Sequence, residues 1–384
     1  LIFLTDALQD NNLLATYTGY LHVYPRIIAE LGTLLPPQYF SLYIAAAVAL
    51  IRVALFFLLL GVLGPYAKTW RWGIAAAATV LFIGSGQQEV LGNITNLRWF
   101  LDIGATLALL GVFRSWGWRL LGLFFLWGGV LSDPLSLALA PIALWRVITL
   151  RGSERILPTL YFPAFLLHVL IIDTDARESA LSSFLAVPVE FFSSIVVRVL
   201  TVPLLGETGA TVGVMTTGAL ITAVMTLVLV ALVFLVSWKQ SPLQTRLMAC
   251  LLFAAAFCFF LATINFANLD AISVSSGVAK VSRYSLMPAV LIPSALLVLL
   301  SWAHGSWVTK TVKIAFCSLL IIGSGVDSRG DEWSTRGPEW NRTVSEVSDI
   351  CSTDTRLTSV TVQITPEGTP KTWTATLPCD WVRN

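Results

Sequence analysis

Two carboxylates four residues apart, Asp6 and Asp10, head the groups in this chain that could do chemistry. On a helix that spacing puts them on one face, and a carboxylate within hydrogen-bond reach of a hydroxyl can take its proton. The complement is a set of groups able to meet negative charge, His22, Arg26, Arg98 and Arg283, with Tyr284 beside the last. Arginine grips phosphate oxygens in bidentate fashion, so these residues suit a phosphate that gains charge as a bond to it breaks. Tyr20 and Glu89 are polar groups of the same loops and are candidates to line a groove or hold an acceptor. Each has a plainer reading. The acids could be solvated loop residues, Arg283 could snorkel at a helix end, Arg98 could pair with Asp102 one turn on, and His22 could be an interfacial polar residue. Asp173 and Asp175 form the pattern Asp-Thr-Asp, which could hold a divalent cation, but they follow an apolar stretch ending near residue 172. His22, His168 and His304 are scattered along the chain and form no ligand cluster. No metal or other cofactor is expected, since cations are available for a phosphate without one.

These residues need a scaffold, and the composition says which kind. Hydrophobic residues make up 56% of the 384 positions and charged residues 12%, with a mean hydropathy of +0.78. A soluble domain of this size cannot hide so much apolar surface, so the bilayer is its solvent. The expected fold is an all-α polytopic membrane bundle of about ten spans, near 39–64, 73–84, 99–113, 119–132, 134–150, 156–172, 212–237, 245–263, 284–303 and 309–325. The stretches near 73, 99, 119 and 134 are shorter than the roughly 20 residues one crossing needs. No nucleic-acid partner is expected.

Alternate loops carry the cations, from Lys68 and Arg71 through Arg114, Arg119, Arg146, Arg151, Arg155, Lys239 and Arg246 to Lys310 and Lys313, with Glu154 as their acid. The positive-inside rule makes that face cytoplasmic, and Trp70, Trp72, Trp116, Trp118, Trp145, Trp238, Trp302 and Trp307 flank it as an interfacial belt. The other loops hold most of the carboxylates, Asp133 and Glu190 among them, and face outward. An even number of crossings with an outward C-terminus puts residue 1 outside, so a preceding N-terminal helix is expected. Residues 13–38, with Leu21, Ile27, Ile28, Leu31 and Leu34 at helical spacing, read as an interfacial helix on the outer leaflet, as do residues 186–206 with Glu190 and Arg198. Arg52 lies inside an apolar helix, where it would pair with an acid or a lipid phosphate or hold two helices together.

Residues 1–325 form the membrane module, and from 326 the composition turns polar. Alternation at Val360, Val362 and Ile364, and again at Trp373, Ala375 and Leu377, predicts two strands around the turn PEGTP. Cys351 and Cys379 bracket them, and an oxidising outer compartment makes a disulfide the natural reading. The tail's tryptophans could stack on sugar rings of an acceptor, or the tail could simply cap the bundle. Cys250, Cys258 and Cys317 lie in apolar helices as packing residues.

The segments TDALQD, YTGYLHVYPR, EVLGNITNLRWFLD, SDPLSLALAP and RYSLMP, in this order, resemble the integral-membrane glycosyltransferases of the GT-C superfamily, especially actinobacterial cell-envelope members. The resemblance spans most of the chain. It implies a GT-C-like bundle, a polyprenyl-phosphate monosaccharide as donor, and an envelope glycan or glycolipid as acceptor. Transfer would take place at the outer face of the plasma membrane, inverting and without a metal. It also implies a catalytic acid in the first outer loop, which falls on Asp6 or Asp10, and a phosphate-binding arginine at the start of a late helix, which falls on Arg283. Transport of a lipid-linked substrate is the competing class. Transporters tend to show related halves and broken helices at the midplane, and no internal repeat is visible.

Overall fold

The computed structural model describes residues 2–9, 12–83, 93–172, 186–264, 273–278, 282–328, 337–365 and 374–383. In chain order the helices are α1 (Ile2–Gln9), α2 (Val23–Thr33), α3 (Phe40–Leu63), α4 (Trp70–Ala78), α5 (Leu97–Leu110), α6 (Trp116–Val130), α7 (Ala140–Thr149) and α8 (Ile156–Ile171). They continue with α9 (Pro188–Val196), α10 (Val202–Thr217), α11 (Ala219–Ser237), α12 (Leu243–Ile264), α13 (Leu286–Trp302), α14 (Trp307–Asp327), α15 (Trp340–Thr353) and α16 (Cys379–Arg383). Two small antiparallel pairs complete the fold, β1 (Thr16–Tyr17) with β2 (Tyr20–Leu21), and β3 (Ser359–Gln363) with β4 (Thr374–Pro378).

Among the described residues seven helical segments are long and apolar enough to cross a membrane: Pro37–Tyr66, Gly152–Ile171, Pro188–Thr217, Ala219–Gln240, Leu243–Ile264, Arg283–Trp302 and Trp307–Asp327. The chain is an all-α multi-pass membrane protein. Six of the seven fall on expected spans. The exception is Pro188–Thr217, expected as an interfacial helix over 186–206, which runs on through 217 as one long helical segment, so that the expected span at 212–237 divides at Gly218. Of the four short stretches, α4 and α5 hold 9 and 14 residues. The other two, α6 and the Pro134–Thr149 segment, are arms of one pair bent by 118°.

Burial divides the helices by role. α13 is apolar all round and 94% of its span is buried, whereas the figure for α14 is 17%. A helix hydrophobic on every side has to be enclosed by protein or by lipid, and here α13 is the centre and α14 the lipid-facing wall. α13 is pinned to α4 by polar contacts, Ser294 Oγ donating to Ala76 O at 2.8 Å and lying 2.8 Å from Thr79 Oγ1.

The basic segments meet at one end of this bundle. The Lys68 amide donates to Ser301 Oγ at 2.9 Å, Thr245 Oγ1 and Trp302 Nε1 donate to Tyr66 O at 3.0 and 2.9 Å, and Arg146 Nη2 donates to Gly111 O at 3.0 Å. Arg71, Arg119, Arg146, Arg246 and Lys313 each lie over an indole ring, those of Trp70, Trp116, Trp145, Trp238 and Trp72. Cations over tryptophan faces suit the zone where lipid headgroups meet hydrocarbon.

Arg52 serves the backbone. Its Nη2 donates to Val80 O and Leu81 O at 3.2 and 2.9 Å, and the guanidinium lies 5.5 Å from the Phe100 ring centroid. Carbonyls just past the end of α4 lack helical partners, and a cation is the group their dipole favours. Arg52 therefore joins α3 to the end of α4, the last of its three expected roles.

The long Pro188–Thr217 segment is broken at Gly206, where φ is 75° and ψ 175°. Asp327, the last residue of α14, caps the helix that restarts there, accepting from the Glu207 amide and, at 3.1 Å, from the Thr208 amide. A Cβ on Gly206 would lie 2.3 Å from Asp327 Oδ2 and 2.9 Å from Gly323 O. Gly206→Ala is accordingly expected to lower stability by about 1–3 kcal/mol, the usual cost of a side chain in a glycine-only conformation. Gly325→Ala is the control, because nothing lies within 4 Å of a Cβ there. Thermal unfolding in detergent checks this; equal melting of the two variants would contradict it.

The polar tail is α15, the β3–β4 pair and α16, closed by the Cys351–Cys379 disulfide with Cα atoms 5.5 Å apart. The register pairs Ser359 with Pro378 and Gln363 with Thr374, as the alternation predicts, while the PEGTP turn and Trp373 lie outside the described residues. The unit is fastened to the bundle by tryptophans. Trp340 Nε1 donates to Pro37 O at 2.8 Å, Trp381 Nε1 to Thr33 O at 3.2 Å, and both rings pack on Phe40. These two indoles cap the bundle, the second of the roles considered for them.

Candidate functional site

The end of the bundle that receives the tail also holds the polar groups. Thr18 and Gly19, with φ of 55° and 89°, make the tight β1–β2 turn, a geometry that suits the twist of a two-residue hairpin. The hairpin turns Tyr20 inward and delivers His22 to the foot of α2. In the expected interfacial helix, 13–38, the helix itself is α2. Ile28 faces in, while Ile27, Leu31 and Leu34 form an exposed apolar row.

His22 is fully buried. It stacks on Tyr20 with ring centroids 4.6 Å apart and packs against Phe3 and Tyr17. Burial foremost, and then the nearby Arg98 charge, push its pKa down to about 3. The ring is neutral at physiological pH and does not supply the positive charge expected of it. An unfolded histidine titrates near 6.5, so its contribution to stability is complete above that value and is lost as pH falls toward about 3. The melting temperature should fall over that window in the wild type and fall less in His22→Gln. An identical pH slope in the two proteins would contradict a buried neutral imidazole.

Asp6, on α1, is about one-third exposed, its side chain at 36%. Arg26 Nη1 pairs with its Oδ2 at 2.7 Å, while Arg26 Nε donates to Ala15 O at 3.0 Å and the guanidinium lies over the Phe3 ring. The carboxylate is thus aimed by a buried arginine that the hairpin and α2 hold in place. Asp10, Glu89, Asp173 and Asp175 lie outside the described residues. Among the described residues no group of three or more His, Cys, Asp or Glu side chains could hold a metal ion.

Arg98, in the first turn of α5, pairs with Asp133 rather than with Asp102, Nη1 to Oδ2 at 3.0 Å. It also donates to the Tyr20 hydroxyl and lies 5.2 and 5.0 Å from the centroids of Tyr20 and Trp99. Asp133 is placed by a second task, since its Oδ1 accepts from the Leu135 amide at 2.9 Å and caps the 3₁₀ turn Pro134–Leu139. Asp102 is fully buried one turn beyond Arg98, against Gly129, and its carboxyl lies within hydrogen-bond reach of the Asp133 carboxyl. By sequence alone Asp133 is one of several outer acids. The signal was the Asp-Pro pair, with a capping carboxylate before a proline at the first helical position.

Tyr284, in the 3₁₀ turn Ser282–Ser285 that leads into α13, meets Trp99 edge-on at 5.6 Å. Arg283 lies over the Tyr284 ring. A cavity opens between these elements, lined by Tyr20, Arg98, Trp99, Asp133, Thr263 and Tyr284. Three residues expected at the site therefore meet at one cavity, Tyr20, Arg98 and Tyr284. Asp6, Arg26 and Arg283 sit on the neighbouring elements without lining it.

A second polar knot joins α9 to residues 273–278. Glu190 accepts from Ser273 and Ser275, and buried Arg198, in a π turn over Val197–Thr201, donates to Gly277 O and Val278 O at 3.4 and 3.3 Å. The π turn puts a wholly buried arginine where an α-helix would point another residue, a placement invisible to periodicity.

Compared with family models, with curated proteins and with solved structures, the chain matches none.

Proposed function

We propose that the protein is a GT-C-type glycosyltransferase of the bacterial plasma membrane. It moves a sugar from a polyprenyl-phosphate monosaccharide to an envelope glycan or glycolipid at the face opposite the basic loops. One observation carries this reading. The hairpin, the first turn of α5, the turn after α6, the last turn of α12 and the turn before α13 converge at one end of the bundle on a cavity with mixed polar and aromatic walls. A lipid-linked substrate with its polar head at the membrane surface meets such a site from the side, whereas a transporter of that substrate needs its site near the midplane. That arrangement supports transfer over transport of the same lipid.

In this mechanism Asp6 takes the proton of the acceptor hydroxyl. The hydroxyl oxygen attacks the anomeric carbon as the bond from that carbon to the phosphate oxygen breaks, and polyprenyl phosphate departs with the electron pair. Inversion follows from attack opposite the leaving group. Arg26 orients the base, and Arg283 meets the charge that grows on the phosphate. The catalysis needs only positioned carboxylate and guanidinium groups, and a divalent cation has no assigned part.

The test is transfer of label. Membranes containing the protein, supplied with polyprenyl phosphate carrying labelled arabinose, mannose or glucose, should move label from at least one donor into envelope material. Failure with every donor and envelope acceptor, in protein shown to be folded, would end the reading.

A further inference from the structure

The contact between α5 and α6 encloses a pair of acids that the transfer mechanism does not use. Asp102 stands on α5 and Asp133 in the turn after α6, and both are fully buried. The close approach is made at Gly129 on α6, where a Cβ would lie 2.9 Å from Ala105 Cβ and 3.2 Å from Asp102 Oδ1. The Asp133 amide donates back to Gly129 O at 3.0 Å. That turn sets the Asp133 carboxyl within hydrogen-bond reach of the Asp102 carboxyl.

The two acids are unequally served. Arg98 Nη1 meets Asp133 Oδ2 at 3.0 Å, and Asp133 Oδ1 accepts from the Leu135 amide at 2.9 Å. Asp102 receives no N–H or O–H donor at either oxygen from the described residues, the Asp133 carboxyl apart. The other titratable groups around the cluster are Tyr20, whose hydroxyl accepts from Arg98, Tyr284 near the same guanidinium, and His168, whose Nδ1 donates to Val130 O. Arg98 is thus the permanent cation that faces the pair. Two ionised carboxylates in contact away from water repel each other, and burying one that lacks a donor is costly. An ionised carboxylate only accepts, so two carboxyl groups bond to each other only through a proton.

We propose that Asp102 and Asp133 hold one proton between them at physiological pH, so that the pair carries a single negative charge and Arg98 balances it. The shared proton ties α5 to the turn after α6 and leaves the cluster neutral within the bundle. The guanidinium then has no charge to spare for a donor phosphate, which leaves that task to Arg283 in the transfer mechanism. The inference stands apart from the transfer reading, since it concerns the protein without substrate.

Infrared spectroscopy tests this on the purified full-length protein in a detergent without carbonyl groups, at about pH 8, where exposed carboxyl groups are ionised. The wild type should show the carbonyl stretch of a protonated carboxyl group, moved to lower frequency when aspartate is isotope-labelled at its side-chain carboxyl carbon. Asp102→Asn should lose that band and melt near the wild type, because the amide supplies Asp133 with the donor that the proton supplied. Asp102→Leu should lose the band as well and melt below Asp102→Asn, with Asp133 deprived of that donor. A wild type with no such band, its charge balanced instead by a protonated His168 or left unbalanced, would overturn the assignment. So would a band that survives in Asp102→Asn, an Asp102→Asn protein that fails to fold, or an Asp102→Leu protein that melts above the wild type, the mark of an ionised Asp102 removed.

Discussion

Arg98→Met is expected to destabilise the protein by about 3–5 kcal/mol, the range found when one partner of a buried ion pair is removed. The reason is the company it keeps. Asp133 and Asp102 are both fully buried, and Arg98 is the cation that faces them. Its removal also leaves the Tyr20 hydroxyl without its donor and takes the guanidinium from between the Tyr20 and Trp99 rings. Arg98→Lys should recover part of the loss, because it restores charge without the flat surface or the second direction of donation. Unfolding in mixed micelles by rising denaturing detergent measures the effect. Wild-type stability in Arg98→Met would mean that the two carboxyl groups do not depend on this guanidinium.

Asp6→Asn is expected to lower sugar transfer by about 10²-fold or more while donor binding persists, the signature of a lost general base. Asparagine still accepts a hydrogen bond from Arg26, so the site keeps its shape while losing the proton acceptor. Arg283→Ala should behave differently, with weaker donor binding and slower transfer together. Full activity in Asp6→Asn with loss in Asp10→Asn would move the base four residues along the chain. Full activity in both would remove the first loop from the mechanism.

Much of the architecture can be read from local pattern. Apolar runs long enough to span, the two tail strands and the bracketing cysteines are all signals carried by neighbouring residues, and the structure has helices, strands and disulfide at those places. The departures have physical causes. Glu190, Arg198 and Gly206 make 188–217 look too polar and too broken to cross, yet Arg198 and the Gly206 break find partners in segments far along the chain. α6 and the Pro134–Thr149 segment read as two spans because a 118° bend leaves no mark on hydropathy. Spacing favoured Asp102 as the partner of Arg98, but Asp133, fixed by its capping bond to Leu135, presents its other oxygen to the guanidinium. The site residues were visible as types, whereas their pairing depends on contacts such as Arg98 with Tyr20, 78 positions apart.

The most direct test of transfer at the face opposite the basic loops is a sided assay in sealed vesicles. The protein is reconstituted in one orientation, established by impermeant labelling of cysteines introduced near Arg151 and near Gly337. Labelled polyprenyl-phosphate sugar and acceptor are then supplied to one side at a time. Transfer is expected when donor and acceptor share the side of the C-terminal unit, with loss of that transfer in Asp6→Asn. Transfer confined to the side of Arg151, or passage of the labelled lipid across the vesicle with no new glycosidic bond, would contradict it.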